Sequence, residues 1–234
     1  MGYVLNSGVK GDGLPEHLVR PLVENHDIPF FVETGSAGGD SARLASTIFQ
    51  KVWSIELIEG RAEIKDCPNN VTFLEGDSIE HLPKIISELK ELKGGKKRQH
   101  VMFYLDAHFC GDTPNETDYP ECPVLEEINC IAEYGEDAII IIDDARLFLG
   151  SPPHPNNPTQ WPPIADIFSL LKEKFPYHHI TITDDYILAI SLHTRETIDK
   201  EWRDNFYIRY PNEKDKLKQQ TKDVYKAFKN YIQE

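Results

Sequence analysis

The chain has 234 residues, of which 40% are hydrophobic and 27% charged, an ordinary globular composition that fits one large α/β domain. The formal net charge of −14 argues against nucleic acid and anionic membrane surfaces as partners, because both are bound through clustered Lys and Arg. No apolar run reaches the roughly 18 residues of a membrane-spanning helix, and Met1 to Lys10 lacks the basic and apolar segments of a signal peptide. We therefore expect one domain over residues 1–234, located in the cytoplasm.

The predicted elements alternate between short apolar runs and segments of helical periodicity. In chain order we predict a helix over 14–24, a strand over 29–32, a helix that Asp40 caps and that reaches residue 49, strands over 51–56 and 71–74, and a helix over 79–92. A strand over 101–105, a polar insertion over 109–123, a helix over 124–134, a strand over 138–142, a loop over 150–163 and a helix over 164–175 follow. The chain closes with strands over 179–183 and 186–191, a hairpin that Asp184-Asp185 turns, and with a helical tail over 212–234.

This alternation predicts the α/β class: a Rossmann-like, mostly parallel sheet with right-handed crossovers and helices on both faces. The closing hairpin adds an antiparallel strand. The cysteines, Cys67, Cys110, Cys122 and Cys130, form no C-x-x-C pair, so we expect reduced thiols and no structural zinc. Whether Cys110 and Cys122 form a disulfide stays open.

Acidic residues lie at the ends of five predicted strands. They are Glu33, Glu56, Asp77, Asp106 and the pair Asp143-Asp144. Ligands of open α/β sheets bind beyond the carboxyl ends of the strands, and a carboxylate buried there is costly without a partner. The pattern predicts that this edge of the sheet binds a ligand or a cation.

The first strand leads into a glycine-rich turn, Glu33-Thr34-Gly35-Ser36-Ala37-Gly38-Gly39-Asp40, where glycine lets a ligand approach the backbone. Glu56 lies 21 residues after Gly35, where a carboxylate binds two ribose hydroxyls in related folds. Asp77, at the end of the third strand, then falls where an adenine amino group would lie. The glycine spacing is not the G-x-G-x-x-G of nicotinamide enzymes, which argues against an oxidoreductase.

Six segments occur in the order FVETGSAGGDSARLA, VWSIEL, VTFLEGDS, FYLDAH, CPVLEEI and IIIDDAR. Over about residues 28–192 they resemble the class I S-adenosylmethionine-dependent methyltransferases, and most of all the branch of macrocin O-methyltransferase and related sugar O-methyltransferases. The resemblance implies S-adenosylmethionine as the cofactor, with its methionine part at Gly35 and neighbouring residues, its ribose at Glu56 and its adenine at Asp77-Ser78. The cofactor-binding set is then Glu33, Thr34, Gly35, Ser36, Ser41, Glu56, Asp77, Ser78 and Asp106.

Asp106, Asp143 and Asp144 end two strands that should be neighbours. Converging carboxylates repel one another, a hard divalent cation relieves that repulsion, and oxygen ligands favour Mg²⁺, Mn²⁺ or Ca²⁺ over zinc. In the sugar O-methyltransferases that the chain resembles, acidic residues at these positions bind Mg²⁺. We predict Mg²⁺ or Mn²⁺ at the three aspartates. In the alternative, Asp144 caps the following turn and Asp143 pairs with Arg146.

Methyl transfer to a hydroxyl is helped by a general base. His108 follows Asp106 by two residues and is the candidate for base or substrate contact, with Asp106 as its rival. The loops over 109–123 and 149–163 are placed to close the site, and Trp161 in the second either stacks on a sugar ring or anchors the loop.

We expect the acceptor to be a sugar hydroxyl of a glycan or glycosylated metabolite, with a catechol-like phenolic small molecule as the alternative. A vicinal diol of either class chelates a cation in the same way. A binding module without catalysis would keep the fold but would not need the three aspartates. Association into a homo-oligomer is left open.

Overall fold

The structure, a computed structural model, describes residues 13–61, 67–94, 99–109 and 119–209, together with Lys214 and Lys222. The chain forms two compact units, one of Gly11–Ile198 and one that contains Asp199–Glu234 with Met1–Lys10. Among the described residues, no helix is both long and apolar enough to cross a membrane.

The larger unit contains the sheet and the helices that cover it. The strands are β1 (Phe30–Thr34), β2 (Lys51–Glu56), β3 (Val71–Glu75), β4 (Val101–Leu105), β5 (Ala138–Ile142), β6 (His178–Thr183) and β7 (Tyr186–Ser191). The helices are α1 (Glu16–Asn25), α2 (Asp40–Ser46), α3 (Ser78–Lys93), α4 (Val124–Ala132), α5 (Ile164–Lys174) and α6 (Arg195–Arg209), the last of which continues into the smaller unit.

The seven strands form one sheet in the order β3-β2-β1-β4-β5-β7-β6. All pairs among β1 to β5 are parallel, and β7 is antiparallel to both of its neighbours. This arrangement confirms the predicted Rossmann-like fold. The register aligns Thr34 with Leu105 and Leu105 with Ile142, so the segments that follow β1, β4 and β5 begin at one edge of the sheet.

Helices pack on both faces of the sheet, and the central strands β1, β4 and β5 are buried throughout. Alternate residues of β5 explain how: Ile140 and Ile142 belong to the apolar cluster that contains α3, α4 and α5, whereas Ile139 and Ile141 belong to the cluster that contains α1 and α2. A continuous apolar strand is what two covered faces require.

The boundaries of α2 differ from the prediction. Its N-cap is Gly39, with a φ of +79°, and Asp40 makes no capping hydrogen bond but pairs with Arg43 at 2.7 Å. The helix ends at Ser46, because the hydroxyls of Ser46 and Thr47 donate to backbone oxygens three residues back and compete with helix continuation.

Other segments differ less. The hairpin turn follows the prediction, with Thr183 paired to Tyr186 and Asp184 at a φ of +53°. The predicted loop over 150–163 contains a short 3₁₀ turn, Pro158–Gln160. Cys122 is a buried free thiol, while Cys110 and most of the predicted tail over 212–234 lie outside the described residues.

The helix α6 was not predicted. In the part that belongs to the smaller unit, Asn205 Nδ2 donates to Glu201 Oε1 at 2.9 Å, and the Trp202 and Phe206 rings lie 6.2 Å apart.

Candidate functional site

A pocket opens at the carboxyl ends of β1 to β4. Its empty space, including space open to solvent, is about 940 Å³. The predicted site residues that line it are Gly35, Glu56, Asp77, Ser78, Asp106 and His108. The sheet therefore brings together residues that are far apart in the sequence.

Gly35 allows β1 and β4 to converge on the pocket. It has a φ of +84°, and a Cβ built there would lie 2.2 Å from the backbone oxygen of Asp106. The amides of Gly35 and Ser36 both donate to the backbone oxygen of Ile55, at 2.9 and 3.1 Å. The turn after β1 is thus tied to β2, close to the end of that strand.

Glu56 ends β2 and is held by two backbone amides. Its Oε2 accepts from the amide of Ala37 at 2.8 Å and its Oε1 from that of Ile58 at 3.1 Å. The side chain is buried yet lines the pocket. Each carboxylate oxygen has a second lone pair, so the oriented carboxylate can accept two further hydrogen bonds from a ligand.

Asp77 and Ser78 form the start of α3. Asp77 is the N-cap, and its Oδ1 accepts from the amide of Ile79 at 3.0 Å. Both residues line the pocket, beside the apolar side chains of Leu57 and Ile58. A planar, polar ring would find hydrogen-bonding groups and apolar contacts here.

The other predicted cofactor residues, Glu33, Thr34, Ser36 and Ser41, do not line the pocket in the described part of the chain. Glu33 is fully buried, and its Oε2 accepts from Ser54 Oγ at 2.6 Å. Burial raises the pKa of Glu33 to about 7, while the Ser54 and Ser41 hydroxyls act in the opposite direction. Ser36 is hydrogen-bonded to the same Ser54. These groups form a buried polar layer that supports the turn.

His108 lies between two aspartates. Its Nε2 is 2.9 Å from Asp144 Oδ2 and its Nδ1 is 3.5 Å from Asp106 Oδ1, and its side chain is 5% exposed. Arg146 contacts the other oxygen of Asp144 and also pairs with Asp185. Of these interacting residues, Asp106 and His108 line the pocket.

The predicted metal site is not supported. Tyr104 donates to Asp143 Oδ2, and the amide of Asp144 donates to Asp143 Oδ1 at 2.7 Å. Both oxygens of Asp144 are likewise held, by His108 and Arg146. Among the described residues no group of three or more His, Cys, Asp or Glu is arranged to hold a metal ion. The three described aspartates are therefore not grouped around one cation position.

The alternative interpretation of these aspartates was also wrong in detail. Arg146 pairs with Asp144 rather than Asp143. Asp144 precedes the 3₁₀ turn Ala145–Phe148, with a φ of +54°, but its side chain makes no capping hydrogen bond. Its carboxylate is used instead to hold His108.

The repulsion between the carboxylates, from which we predicted a metal ion, is nevertheless present in the structure. Burial, followed by the charges of Asp143 and Asp144, raises the pKa of Asp106 to about 9. Burial likewise raises the pKa of Asp143 to about 6. Burial would also raise the pKa of Asp144, but hydrogen bonds and charges from His108 and Arg146 lower it below its usual value. A positive charge near Asp106, which lines the pocket, would relieve this repulsion.

Two buried acids were missed from the sequence. Glu127 of α4 is 1% exposed, and burial raises its pKa to about 7. Its spacing from Val124 and Ile131 places it on the buried stripe of α4, which was the available signal. Glu121 is 3% exposed and accepts from Trp161 Nε1 at 2.9 Å. No local pattern marks it, because its partners are distant in sequence.

Trp161 anchors its loop. It is 7% exposed, donates to Glu121 and packs against His108 and Phe148, with ring centroids 5.4 and 5.6 Å away. We predicted that Trp161 either stacks on a sugar ring or anchors its loop, and the structure shows the anchoring role.

Comparison with known proteins gives structural similarity at low sequence identity. No family model matches the chain, and a search of curated proteins finds no match. Human methyltransferase-like protein 13 in complex with SAH is similar with a TM-score of 0.47 and 13% identity over 81% of this chain and 93% of that one. The plantazolicin methyltransferase BamL, in complex with a triazolic desmethylPZN analog and SAH, is similar with a TM-score of 0.48 and 10% identity over 83% of this chain and 75% of that one. The N-methyltransferase NodS from Bradyrhizobium japonicum is similar with a TM-score of 0.43 and 12% identity over 74% of this chain and 92% of that one.

Proposed function

We propose that this chain is an S-adenosylmethionine-dependent O-methyltransferase that methylates a sugar hydroxyl of a glycan or glycosylated metabolite. The domain is taken as residues 1–234, with its core over about 28–192. The observation that carries the proposal is Glu56: a carboxylate oriented by two backbone amides, next to the Gly35 turn, in one pocket with Asp106 and His108.

The proposed cofactor position follows from these groups. Glu56 accepts hydrogen bonds from the two ribose hydroxyls, and Asp77 and Ser78 bind the adenine, beside Leu57 and Ile58. The sulfonium and ammonium groups of S-adenosylmethionine then lie near Asp106, where buried carboxylates repel one another. A cationic ligand relieves that repulsion, so the cofactor itself meets the need for positive charge.

In the proposed reaction the acceptor oxygen attacks the methyl carbon. The bond from that carbon to sulfur breaks, and its electron pair stays on sulfur, which becomes the neutral thioether of S-adenosylhomocysteine. The hydroxyl proton passes to His108 Nδ1, the nitrogen on the Asp106 side, and Asp144, 2.9 Å from His108 Nε2, stabilises the protonated imidazole. The protein contributes mainly orientation of the reactants and proton removal.

The predicted Mg²⁺ or Mn²⁺ is given no step in this reaction, because the described residues form no group arranged to hold it. A sugar remains the preferred acceptor, since carboxylates accept hydrogen bonds from neutral hydroxyls and a net charge of −14 disfavours polyanions. A catechol-like phenol is the second candidate.

The test is isotopic methyl transfer from labelled S-adenosylmethionine to a panel of free sugars, oligosaccharides and catechols, with and without EDTA. We expect label in carbohydrate, retention of turnover in EDTA, and a loss of at least about tenfold in His108→Ala, since general bases contribute about 10²–10⁴. Label in catechols alone would replace the sugar by the second candidate. Loss in EDTA that Mg²⁺ restores would return the metal to the mechanism.

A further inference from the structure

We propose that Glu121 is a positioning residue: it joins the loop after β5 to the loop after β4 and so holds the Trp161 ring against His108. The functional part of this inference rests on the proposed role of His108 in methyl transfer. Glu121 itself is assigned no contact with the reacting atoms.

A single carboxylate oxygen of Glu121 binds two points of the loop after β5. Its Oε2 accepts from Trp161 Nε1 at 2.9 Å and from the amide of Asn157 at 2.8 Å. In addition, the amide of Glu121 donates to Gln160 Oε1 at 2.9 Å. Three hydrogen bonds thus tie the short segment 157–161 to one residue that is 36 to 40 positions earlier.

Glu121 is itself fixed to the β4 side of the pocket. Its backbone oxygen accepts from the amide of Phe109 at 2.8 Å, and Phe109 directly follows His108. On its other side, α4 begins at Val124. A buried carboxylate is costly unless it is hydrogen-bonded, and here the donors that satisfy it also fix the geometry of the loop after β5.

The Trp161 ring transmits this anchoring to His108. The two ring centroids are 5.4 Å apart with an interplanar angle of 63°, an edge-to-face contact. Asp106 and Asp144 face the two nitrogens of His108, and Trp161 packs against its ring. The orientation of the imidazole therefore depends on where Trp161 is held, and Glu121 holds it.

Loss of this anchoring should affect kcat and cofactor affinity differently. A misplacement of about 1 Å of a group acting in catalysis can lower a rate by about 100-fold. We expect Glu121→Ala and Trp161→Phe each to lower kcat by about 10- to 100-fold and to change S-adenosylhomocysteine affinity far less, because Glu56 and Asp77 are held by other contacts. The double variant should be no worse than the more severe single one, since both single variants break the hydrogen bond between Trp161 and Glu121.

Glu121→Gln provides the conservative rescue, because its amide oxygen can accept from the same two N–H groups, and it should keep most of the turnover. Glu126→Ala is the matched control: Glu126 is an exposed acid in the first turn of α4, and its loss should change nothing.

Nuclear magnetic resonance of the Trp161 indole N–H and the His108 ring separates this inference from the proposed function. Both signals should shift in Glu121→Ala and return in Glu121→Gln, whether or not an acceptor is methylated. If they shift while the wild-type protein methylates nothing on the panel, the positioning stands and the proposed function fails. Unchanged His108 signals in folded Glu121→Ala, or additive losses of kcat in the double variant, would overturn the inference.

Discussion

Gly35 has a φ of +84°, and a Cβ at this position would lie 2.2 Å from the backbone oxygen of Asp106. Gly35→Ala must therefore strain the turn and push β1 and β4 apart. We expect a loss of about 3 kcal/mol or more in the free energy of unfolding, with loss of cofactor binding, measured by urea denaturation and calorimetry. Gly38→Ala, whose Cβ would meet nothing within 4 Å, is the control, and equal effects in both variants would contradict this explanation.

At the residue scale, spacing along the chain identified some of the groups that line the pocket. Gly35 and Glu56 follow from a glycine turn and a carboxylate one strand later, because the backbone positions both. The partners of Asp144 did not follow, since they depend on where the side chains of His108 and Arg146 turn. The role of Glu121 could not be predicted for the same reason, because its partners Asn157 and Trp161 become its neighbours only after folding.

At the scale of elements, α3 offers a matched pair of leucines. Leu89 is fully buried in the cluster that contains α4 and α5, whereas Leu92, three residues later, is 45% exposed. Leu89→Ala should lower the free energy of unfolding by about 2–5 kcal/mol through the lost burial and the cavity, and Leu92→Ala by less than about 0.5 kcal/mol. Thermal or urea denaturation measures both, and similar losses would show that α3 packs differently.

The elements that the sequence predicted best are the buried strands. β2, β4 and β5 have the predicted bounds, and β4 and β5 are apolar runs that end where an aspartate follows. α6 was missed because apolar side chains are sparse along it, so helical periodicity gave little signal. The end of α2 was misplaced because Ser46 and Thr47 bond to the backbone, which apolar periodicity does not register.

At the scale of the whole molecule, the buried acids tie stability to pH. Burial raises the pKa of Glu33 from its usual 4.5 to about 7, so the folded state prefers the protonated form. The free energy of unfolding that Glu33 contributes should therefore fall as pH rises from about 4.5 to about 7, by roughly 3 kcal/mol, and stay constant above. Urea denaturation of the wild type and Glu33→Gln between pH 4 and 8 tests this, because the amide does not titrate. Parallel pH curves for the two proteins would contradict the prediction.

The measurement that tests the central claim most directly is calorimetric titration of S-adenosylhomocysteine into the wild type, Glu56→Gln and Glu56→Ala. Glu56→Ala removes both charged hydrogen-bond acceptors and should weaken binding by about 100-fold or more, since hydrogen bonds to charged groups contribute about 1.5–3 kcal/mol each. Glu56→Gln, which keeps one acceptor, should bind with intermediate affinity. Glu59→Ala, which changes an exposed acid three residues away, should bind like the wild type. One-to-one binding with this order of affinities is the predicted result; no binding to the wild type, or unchanged affinity in Glu56→Ala, would contradict the proposed cofactor site.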